Sequence, residues 1–447
     1  MTIYTIKGNP NRPLTGHIKC CASKNTISKV LMCCLLTDEI STLSNIPSVG
    51  DLDQTIELLT SLNVACHQQE NSLNINPYNL KPYSDLVFAN RLSISLLAVL
   101  AHRFKNIQLP LLTGCDLGAR GIDLHLDIYE QFGLKVELEH SKISLQHSHE
   151  HLNAQHITLP YPSVGATDTA ILLSVLAKGT SVLENIALEP EVLETITFLQ
   201  LMGAQISWQN RNTLVITGVD KLKGANFSII PERLEPVTWS ALSALSNGSI
   251  IVENVRLDHM QTFLGYFNQI GGGFEFLNHN TVRFYKATEF NTIKICANNY
   301  PNLATDQLAQ LSTMLIKAGG SIHDTVYEKR IEDVHQMFES FGVQSTLSKD
   351  CVGKACRFER RYNHSLHIQP SSLKNPDKIL TLPKNIRCAH SYLILASQTP
   401  GTTILHDVSD SIHRGYNRES LVDKLRATGV DIYFETQASA AHAQSNE

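Results

Sequence analysis

A pattern of helix, glycine and strand returns six times along this chain, and no other feature limits its fold so tightly. The clearest copy begins at Ala166. An apolar helical run from Thr169 to Leu176 leads to Gly179-Thr180 and a strand-like Ser181-Val182-Leu183-Glu184-Asn185. A second helical run, Val192 to Met202, stops at Gly203 before Ala204-Gln205-Ile206-Ser207-Trp208. From Thr238 the order repeats, with Gly248-Ser249, a strand Ile250 to Asn254, and Gly271-Gly272-Gly273. It repeats from Thr305, with Gly319-Gly320-Ser321-Ile322 and Phe341-Gly342-Val343, and from Ala389, with Gly401 to Leu405 and Thr428-Gly429-Val430. Weaker copies begin near Lys24 and Arg91 and end at Asn63-Val64-Ala65 and Gly133-Leu134-Lys135. Copy starts are roughly 67 to 84 residues apart. Glycine after a helix fits a positive-φ cap, and units of this kind bury their apolar faces only against their siblings.

Six copies group as three and three, which predicts two similar α/β lobes with a boundary near Phe227–Pro231. Residues 437–447 are small and polar without periodicity and read as a disordered tail. Lys plus Arg is 37 against Asp plus Glu 42, a net charge of -5, so no basic field exists to hold nucleic acid. The longest apolar runs, Leu31–Leu36 and Ile94–Ala101, are about half a membrane span. Met1 to Gly8 lacks the basic-then-apolar layout of a secretory signal. None of the 10 cysteines forms a C-x-x-C pair, and several sit in apolar runs. The expectation is a cytoplasmic protein with free thiols and neither a membrane nor a nucleic-acid partner.

Candidate chemistry lies at the ends of the repeated elements. Lys24, Arg91 and Arg387 fall at the helix starts of copies one, two and six, and Arg120, Arg330 and Arg414 in the loops between elements of copies two, five and six. Such shared positions in two related lobes would turn their cations toward one cleft, where forked guanidinium donors suit phosphate and carboxylate. Taken singly, each is as well explained as a solvated surface charge. Asp306, opening a helix, is either a cap or a base for a substrate hydroxyl. The loop Gly114 to His125 holds Cys115 near Arg120, a setting that lowers a thiol pKa, though an inert loop cysteine fits equally. Its glycine spacing matches neither a dinucleotide fingerprint nor a P-loop. The alternating His147, His149 and His151 could ligate a metal from one strand face, but a solvated hairpin is the better account.

These residues together resemble the enolpyruvyl transferases, specifically the UDP-N-acetylglucosamine 1-carboxyvinyltransferase family. The resemblance rests on Ser23-Lys24-Asn25, the Gly114-to-His125 loop, Ser163-Val164-Gly165-Ala166-Thr167, Glu189-Pro190-Glu191, Thr305-Asp306 and His413-Arg414-Gly415-Tyr416. It runs from Ile6-Lys7-Gly8 to Ile432. The implied fold is a two-lobed inverse α/β barrel of six βαβαββ repeats, with residues 23–230 as lobe one and 1–22 plus 231–436 as lobe two. The implied activity is transfer of the enolpyruvyl group of phosphoenolpyruvate to a uridine nucleotide, with no metal or organic cofactor and no obligate protein partner.

By the same resemblance, Lys24, Arg120 and Arg414 would hold the phosphate of phosphoenolpyruvate, Arg330 and Arg387 would meet its carboxylate, and Arg91 would support the closed site. Asp306 would take the proton from the acceptor hydroxyl. Cys115 would assist protonation or product release and be the group alkylated by fosfomycin. Gly121, Ile122, Asp123, Leu124, Ser163, Val164 and Gly165 look like uridine and diphosphate contacts. Asn25, Glu189, Arg233 and Val326 would lie toward the sugar nucleotide and hinge. The sequence departs from the family at Tyr161, where a phosphate-binding lysine is usual, at Gly121 for a proline and at Ser95 for a tryptophan. Glu235-Pro236-Val237-Thr238 also alters a usual Glu-Thr-Gly-Thr. The expected acceptor is the 3-hydroxyl of UDP-N-acetylglucosamine in peptidoglycan precursor synthesis. The alternative is another nucleotide, such as UMP at its 3′-hydroxyl, in a specialised pathway. A catalytically silent binding protein is the third possibility, disfavoured because it has no physical need for Lys24, Asp306, Arg387 and Arg414 together.

Overall fold

The computed structural model describes residues 2–83, 92–110, 122–139, 142–351, 360–416 and 418–436. Arg91, Cys115, Arg120, Gly121 and the tail 437–447 lie outside the described residues.

Each copy builds one small sheet. In the third, strand His156–Thr158 enters helix Val164–Ser174 and returns as Thr180–Glu184, parallel to it. Helix Pro190–Leu201 then leads to the hairpin Gln205–Asn210 and Thr213–Thr217, whose second strand pairs antiparallel with Thr180–Glu184. Among the described residues, five such sheets have four strands. The sheet of copy two has three, with an isolated bridge from Tyr83 to Gln108 where a fourth strand would run.

Strands that complete three of the sheets come from distant sequence. Thr15–Lys19 runs parallel to Ser249–Glu253, and Asn226–Ser228 parallel to Ser41–Ser44. Thr2–Gly8 is inserted between Gly401–His406 and Asp431–Thr436. The chain therefore passes between two bodies twice, and the two passes touch. Ser23 N–H donates to Ile230 O at 2.7 Å and Glu232 N–H to Cys21 O at 2.8 Å. Two hydrophobic cores result. One is built from residues between Ala22 and Ile229, the other from Tyr4 to Cys20 together with Val237 to Ile432.

Helix composition explains the layering. Every residue of Glu235–Leu245 and of Ile386–Gln398 is buried, as is Ala166 to Ser174 of Val164–Ser174. Helices apolar or small on all sides belong inside. Outer helices carry one stripe: Gln261–Ile270 buries Phe263, Leu264, Phe267 and Ile270. Three inner helices share an N-cap. The side chains of Ser23, Ser163 and Asn385 accept from Thr26 N, Ala166 N and Cys388 N. Glycines 133, 203, 271, 342 and 429 follow outer helices with positive φ, and Asn63, φ 65°, does so in copy one. Asn185 and Asn254, expected as strand ends, instead lie beyond their strands with φ 55° and 60°. Their amides donate to Leu159 O and Cys20 O, as Asn45 does to Ile229 O. The asparagine side chain thus ties each turn to the end of the neighbouring parallel strand.

Candidate active site

The first residues of the inner helices carry the charges. Asp306 is the second residue of Thr305–Ser312, whose N-cap Ala304 has no side chain to bond. Its carboxylate caps nothing and meets two arginines: Oδ1 accepts from Arg330 Nη1 at 2.8 Å, and Oδ2 lies 3.5 Å from Arg387 Nε. Burial works to raise Asp306, but Arg330 and Arg387, with Arg233 behind them, hold it far below the usual carboxylate range. Arg330 opens helix Arg330–Ser340, and Arg387 is second in Ile386–Gln398; both are buried. Thr305 Oγ1 donates to Asp324 Oδ2 at 2.5 Å, while Asp324 Oδ1 accepts from Val326 N at 2.7 Å, shaping the turn that delivers Arg330. Arg387 Nη1 donates to Tyr416 Oη at 3.2 Å, and the Tyr416 ring stacks on His390 with centroids 3.6 Å apart.

A second cluster joins the two bodies. Asp51, near the start of helix Gly50–Ser61, accepts from Lys24 Nζ at 2.7 Å and Arg414 Nε at 2.9 Å. Burial pushes the Asp51 carboxyl up, but Lys24 and Arg414 outweigh it and hold it low. The two clusters abut at Gly415. A Cβ there would come within 2.6 Å of Ile386 Cγ2 and 3.7 Å of Lys24 Cδ. Any larger residue would press on the Ile386 side chain, next to Arg387.

A third group surrounds the crossing. Arg233 is buried and forks onto Glu191, Nε and Nη2 each 3.3 Å from a carboxylate oxygen, and Asn25 Nδ2 reaches Glu191 Oε1 at 3.4 Å. Glu189 Oε1 accepts from Tyr300 N at 3.5 Å, and Oε2 is buried without a partner among the described residues. Burial, and then the charge of Glu191, raises Glu189 to about 7. Tyr161 donates to Asn299 Oδ1, and Asn299 Nδ2 returns a bond to Pro162 O at 3.2 Å. The position where the resemblance expects a lysine thus fastens one body to the other.

Of the expected nucleotide contacts, Ser163 has its hydroxyl engaged as a helix cap, and Val164 and Gly165 form the first turn behind it. Gly165 lies against the His125 ring; a Cβ would sit 3.0 Å from it. This brings the start of helix Asp123–Gln131, with half-buried Ile122, exposed Asp123 and half-buried Leu124, beside Ser163-Val164-Gly165. Between these helices a cavity of about 220 Å³ is lined by Ser95, His125, Gly165 and the paired Lys29 and Asp168. Serine in place of an indole leaves this space open.

Two placements differ from expectation. Arg330 and Arg414 belong to elements rather than loops: Arg330 begins a helix, and Arg414 ends the 3-10 turn Ile412–Arg414. The carboxylates Asp51, Glu191 and Asp324, and Tyr416 beside Arg387, escaped sequence reasoning as charge partners. A signal for Asp51 existed, since it opens the second helix of copy one as Arg330 opens that of copy five. His147 and His149 each bond a backbone carbonyl through Nε2, Phe104 O at 3.0 Å and Gly133 O at 3.2 Å, and with His151 they lie not on a hairpin, as expected, but in the segment between strands Lys142–Gln146 and His156–Thr158, which belong to different sheets. Among the described residues, Cys20, Cys21, Cys33, Cys34, Cys66, Cys296, Cys351 and Cys388 are unbridged, and no helix is long and apolar enough to cross a membrane.

A two-lobed body of six repeated α/β units, one sheet to each, with cation–carboxylate pairs at the ends of its inner helices, defines an enolpyruvyl transferase fold. The chain belongs to the enolpyruvyl (carboxyvinyl) transferase family: the EPSP synthase (3-phosphoshikimate 1-carboxyvinyltransferase) model matches residues 9–418. It is 30% identical over 433 residues to the UDP-N-acetylglucosamine 1-carboxyvinyltransferase of Protochlamydia amoebophila (strain UWE25), covering 94% of this chain and 92% of that protein. It is 31% identical over 430 residues to the enzyme of the same name from Chlamydia abortus (strain DSM 27085 / S26/3), covering 94% and 96%. Among solved structures, the enolpyruvyl transferase NikO from Streptomyces tendae superposes with a TM-score of 0.83 at 19% identity, over 98% of this chain and 99% of that one. EPSP synthase from Acinetobacter baumannii superposes at 0.69 with 13% identity, over 98% and 100%. These two likenesses concern the fold.

Proposed function

We propose that the chain transfers the enolpyruvyl group of phosphoenolpyruvate to the 3-hydroxyl of UDP-N-acetylglucosamine, releasing phosphate, as a step of peptidoglycan precursor synthesis in the cytoplasm. The observation that carries this reading is the contact of Asp306 with Arg330 and Arg387. Clamped by two guanidinium groups, Asp306 is a weak base. An arriving carboxylate that takes over the two arginines relieves the clamp, so Asp306 gains basicity only when the enolpyruvyl donor is present. Lys24 and Arg414 are balanced by Asp51 in the same way, and a phosphate group takes its place.

The acceptor oxygen then adds to the ketal-forming carbon while a proton goes to the methylene carbon, with Asp306 receiving the hydroxyl proton. Loss of a methyl proton and of the phosphate group restores the double bond in the product, and Lys24 and Arg414 stabilise the leaving oxygens. Cys115 and Arg120 complete this set by resemblance, Cys115 in protonation or product release. Arg233, Asn25, Val326 and the Asp123 and Ser163 turns form the acceptor side.

Tyr161 favours a second reading. A phenol held by Asn299 offers no cation to a diphosphate, and a hydrogen bond to a charged group contributes about 1.5–3 kcal/mol. A smaller nucleotide such as UMP has no second phosphate to lose. The deciding experiment is phosphate release from phosphoenolpyruvate with UDP-N-acetylglucosamine and with UMP in parallel. Turnover with the sugar nucleotide alone supports the first reading, turnover with UMP alone the second, and release with neither rejects both.

A further inference from the structure

Away from these clusters, in the sheet formed by Ile293–Ala297, Gly320–Asp324, Ser345–Ser348 and Ser365–Ile368, three metal-ligating side chains meet. They are His323 on the second strand, His364 immediately before the fourth, and Cys351 just beyond the third. One donor atom from each lies within 4.8 Å of the other two. Cys351 Sγ is 3.4 Å from His364 Nε2, and the two imidazole centroids are 4.7 Å apart.

The hydrogen bonds around the rings fix which nitrogens are available. His364 Nδ1 faces Tyr362 O at 2.7 Å; a carbonyl only accepts, so Nδ1 carries the proton and Nε2 the lone pair. Ser365 gives its one hydroxyl proton to Asp350 O, so its oxygen accepts from His323 Nδ1 at 2.8 Å. His323 Nε2 is thereby left as a bare acceptor. It is buried, in a fully buried residue, and has no hydrogen-bond partner among the described residues. Two imidazoles held in the Nδ1–H form by a carbonyl and a hydroxyl, with a nitrogen of each within 4.8 Å of the Cys351 sulfur, match the way protein metal ligands are oriented, by an oxygen that takes the ring N–H.

We propose that His323 Nε2, His364 Nε2 and Cys351 Sγ bind one zinc-class divalent ion that ties the paired strands Ser345–Ser348 and Ser365–Ile368 to strand Gly320–Asp324. Two nitrogens and a sulfur select borderline-soft metals over magnesium or calcium. Zinc bonds of about 2.0–2.1 Å to nitrogen and 2.3 Å to sulfur set tetrahedral ligands roughly 3.3–3.6 Å apart, which the Cys351–His364 pair already meets. Binding forms one M–S and two M–N bonds and releases the thiol proton. One tetrahedral position remains for water or another donor. The role is structural, separate from enolpyruvyl transfer. Asp324 follows His323 directly and holds the Val326 turn ahead of Arg330, so the ion braces the base of that loop.

The test uses the full-length protein, reduced and stripped by a chelator, titrated with Co(II) and then Zn(II). A thiolate-to-cobalt charge-transfer band that saturates at one equivalent and is displaced by Zn(II) is expected, with a Zn(II)-dependent rise in Tm. Cys351→Ser abolishes the band, His364→Gln weakens Zn(II) binding at least tenfold, and Ser365→Ala, which frees the His323 ring, weakens it about 10–100-fold. Cys351 is only partly buried, so its serine variant is the one least prone to misfold, and its apo melting curve checks that. Absence of the band in the wild type, or its survival in Cys351→Ser, overturns the proposal.

Discussion

At the scale of single residues, the described cations Lys24, Arg233, Arg330, Arg387 and Arg414 are each matched by a carboxylate, and under the proposed function the anionic donor displaces Asp306 and Asp51 from theirs. Asp306→Asn keeps the shape of the contact to Arg330 and removes the base, so turnover is expected to fall about 10²–10⁴-fold while nucleotide affinity changes little. Phosphate release and equilibrium binding of the nucleotide separate these effects; near-original turnover refutes the assignment. Glu189 yields a pH prediction. Its folded pKa, about 7, lies above the ordinary 4.5, so the folded state binds the proton more tightly. That contribution is fully present below about pH 4.5 and is lost as pH rises through 7. Glu189→Gln, which preserves the acceptor for Tyr300 N–H, should gain stability relative to wild type between pH 5 and 8, on the order of 1–3 kcal/mol by denaturant titration. Parallel stability curves rule this out. The cations were legible in the sequence because they recur at equivalent places in the repeats. Their partners were not, because Asp51 and Arg414 lie 363 positions apart and a lone aspartate at a helix start reads as a cap.

Among the elements, the clearest device is the asparagine after the central strand. Alanine at 185 would keep a left-handed backbone at a cost of about 1–2 kcal/mol and lose the bond to Leu159 O, worth about 0.5–1.5 kcal/mol. Asn185→Ala is therefore expected to lose about 2 kcal/mol in denaturant unfolding, while Asn185→Gly recovers the backbone part. Equal losses in both variants exclude backbone strain as the cause. Glycine punctuation revealed the repeats because few residues tolerate positive φ. Asparagine hid the second mark because it also ends strands in the extended form, so Asn185 and Asn254 read as strand residues.

For the whole molecule, the sixfold pattern and the two-lobed α/β class could be read from sequence, since both follow from periodic apolar runs. What could not be read is which strand completes which sheet. Thr15–Lys19 and Ser249–Glu253 are neighbours only because the first body is inserted between them. Tyr161 and Asn299 test how firmly the two bodies are held. Tyr161→Phe removes one polar contact between them, worth about 0.5–1.5 kcal/mol, which shifts an open–closed balance up to about tenfold. A larger radius of gyration by small-angle scattering and a raised nucleotide KM with kcat maintained are expected; an unchanged radius and KM count against a clasp.

The inserted strand Thr2–Gly8 also sets an order of assembly on the ribosome. It is synthesised well ahead of its partners Gly401–His406 and Asp431–Thr436. At about 5–20 residues per second it waits roughly 20–80 s for them. The core between Ala22 and Ile229 needs nothing made after residue 230 and is free to condense during that interval. Tyr4 and Ile6, buried in the finished sheet, stay uncovered meanwhile on an unpaired strand, the kind of segment that chaperones hold and aggregates recruit. The second core closes only after synthesis has passed Asp431–Thr436, so its last step joins that strand and Gly401–His406 to the long-waiting Thr2–Gly8.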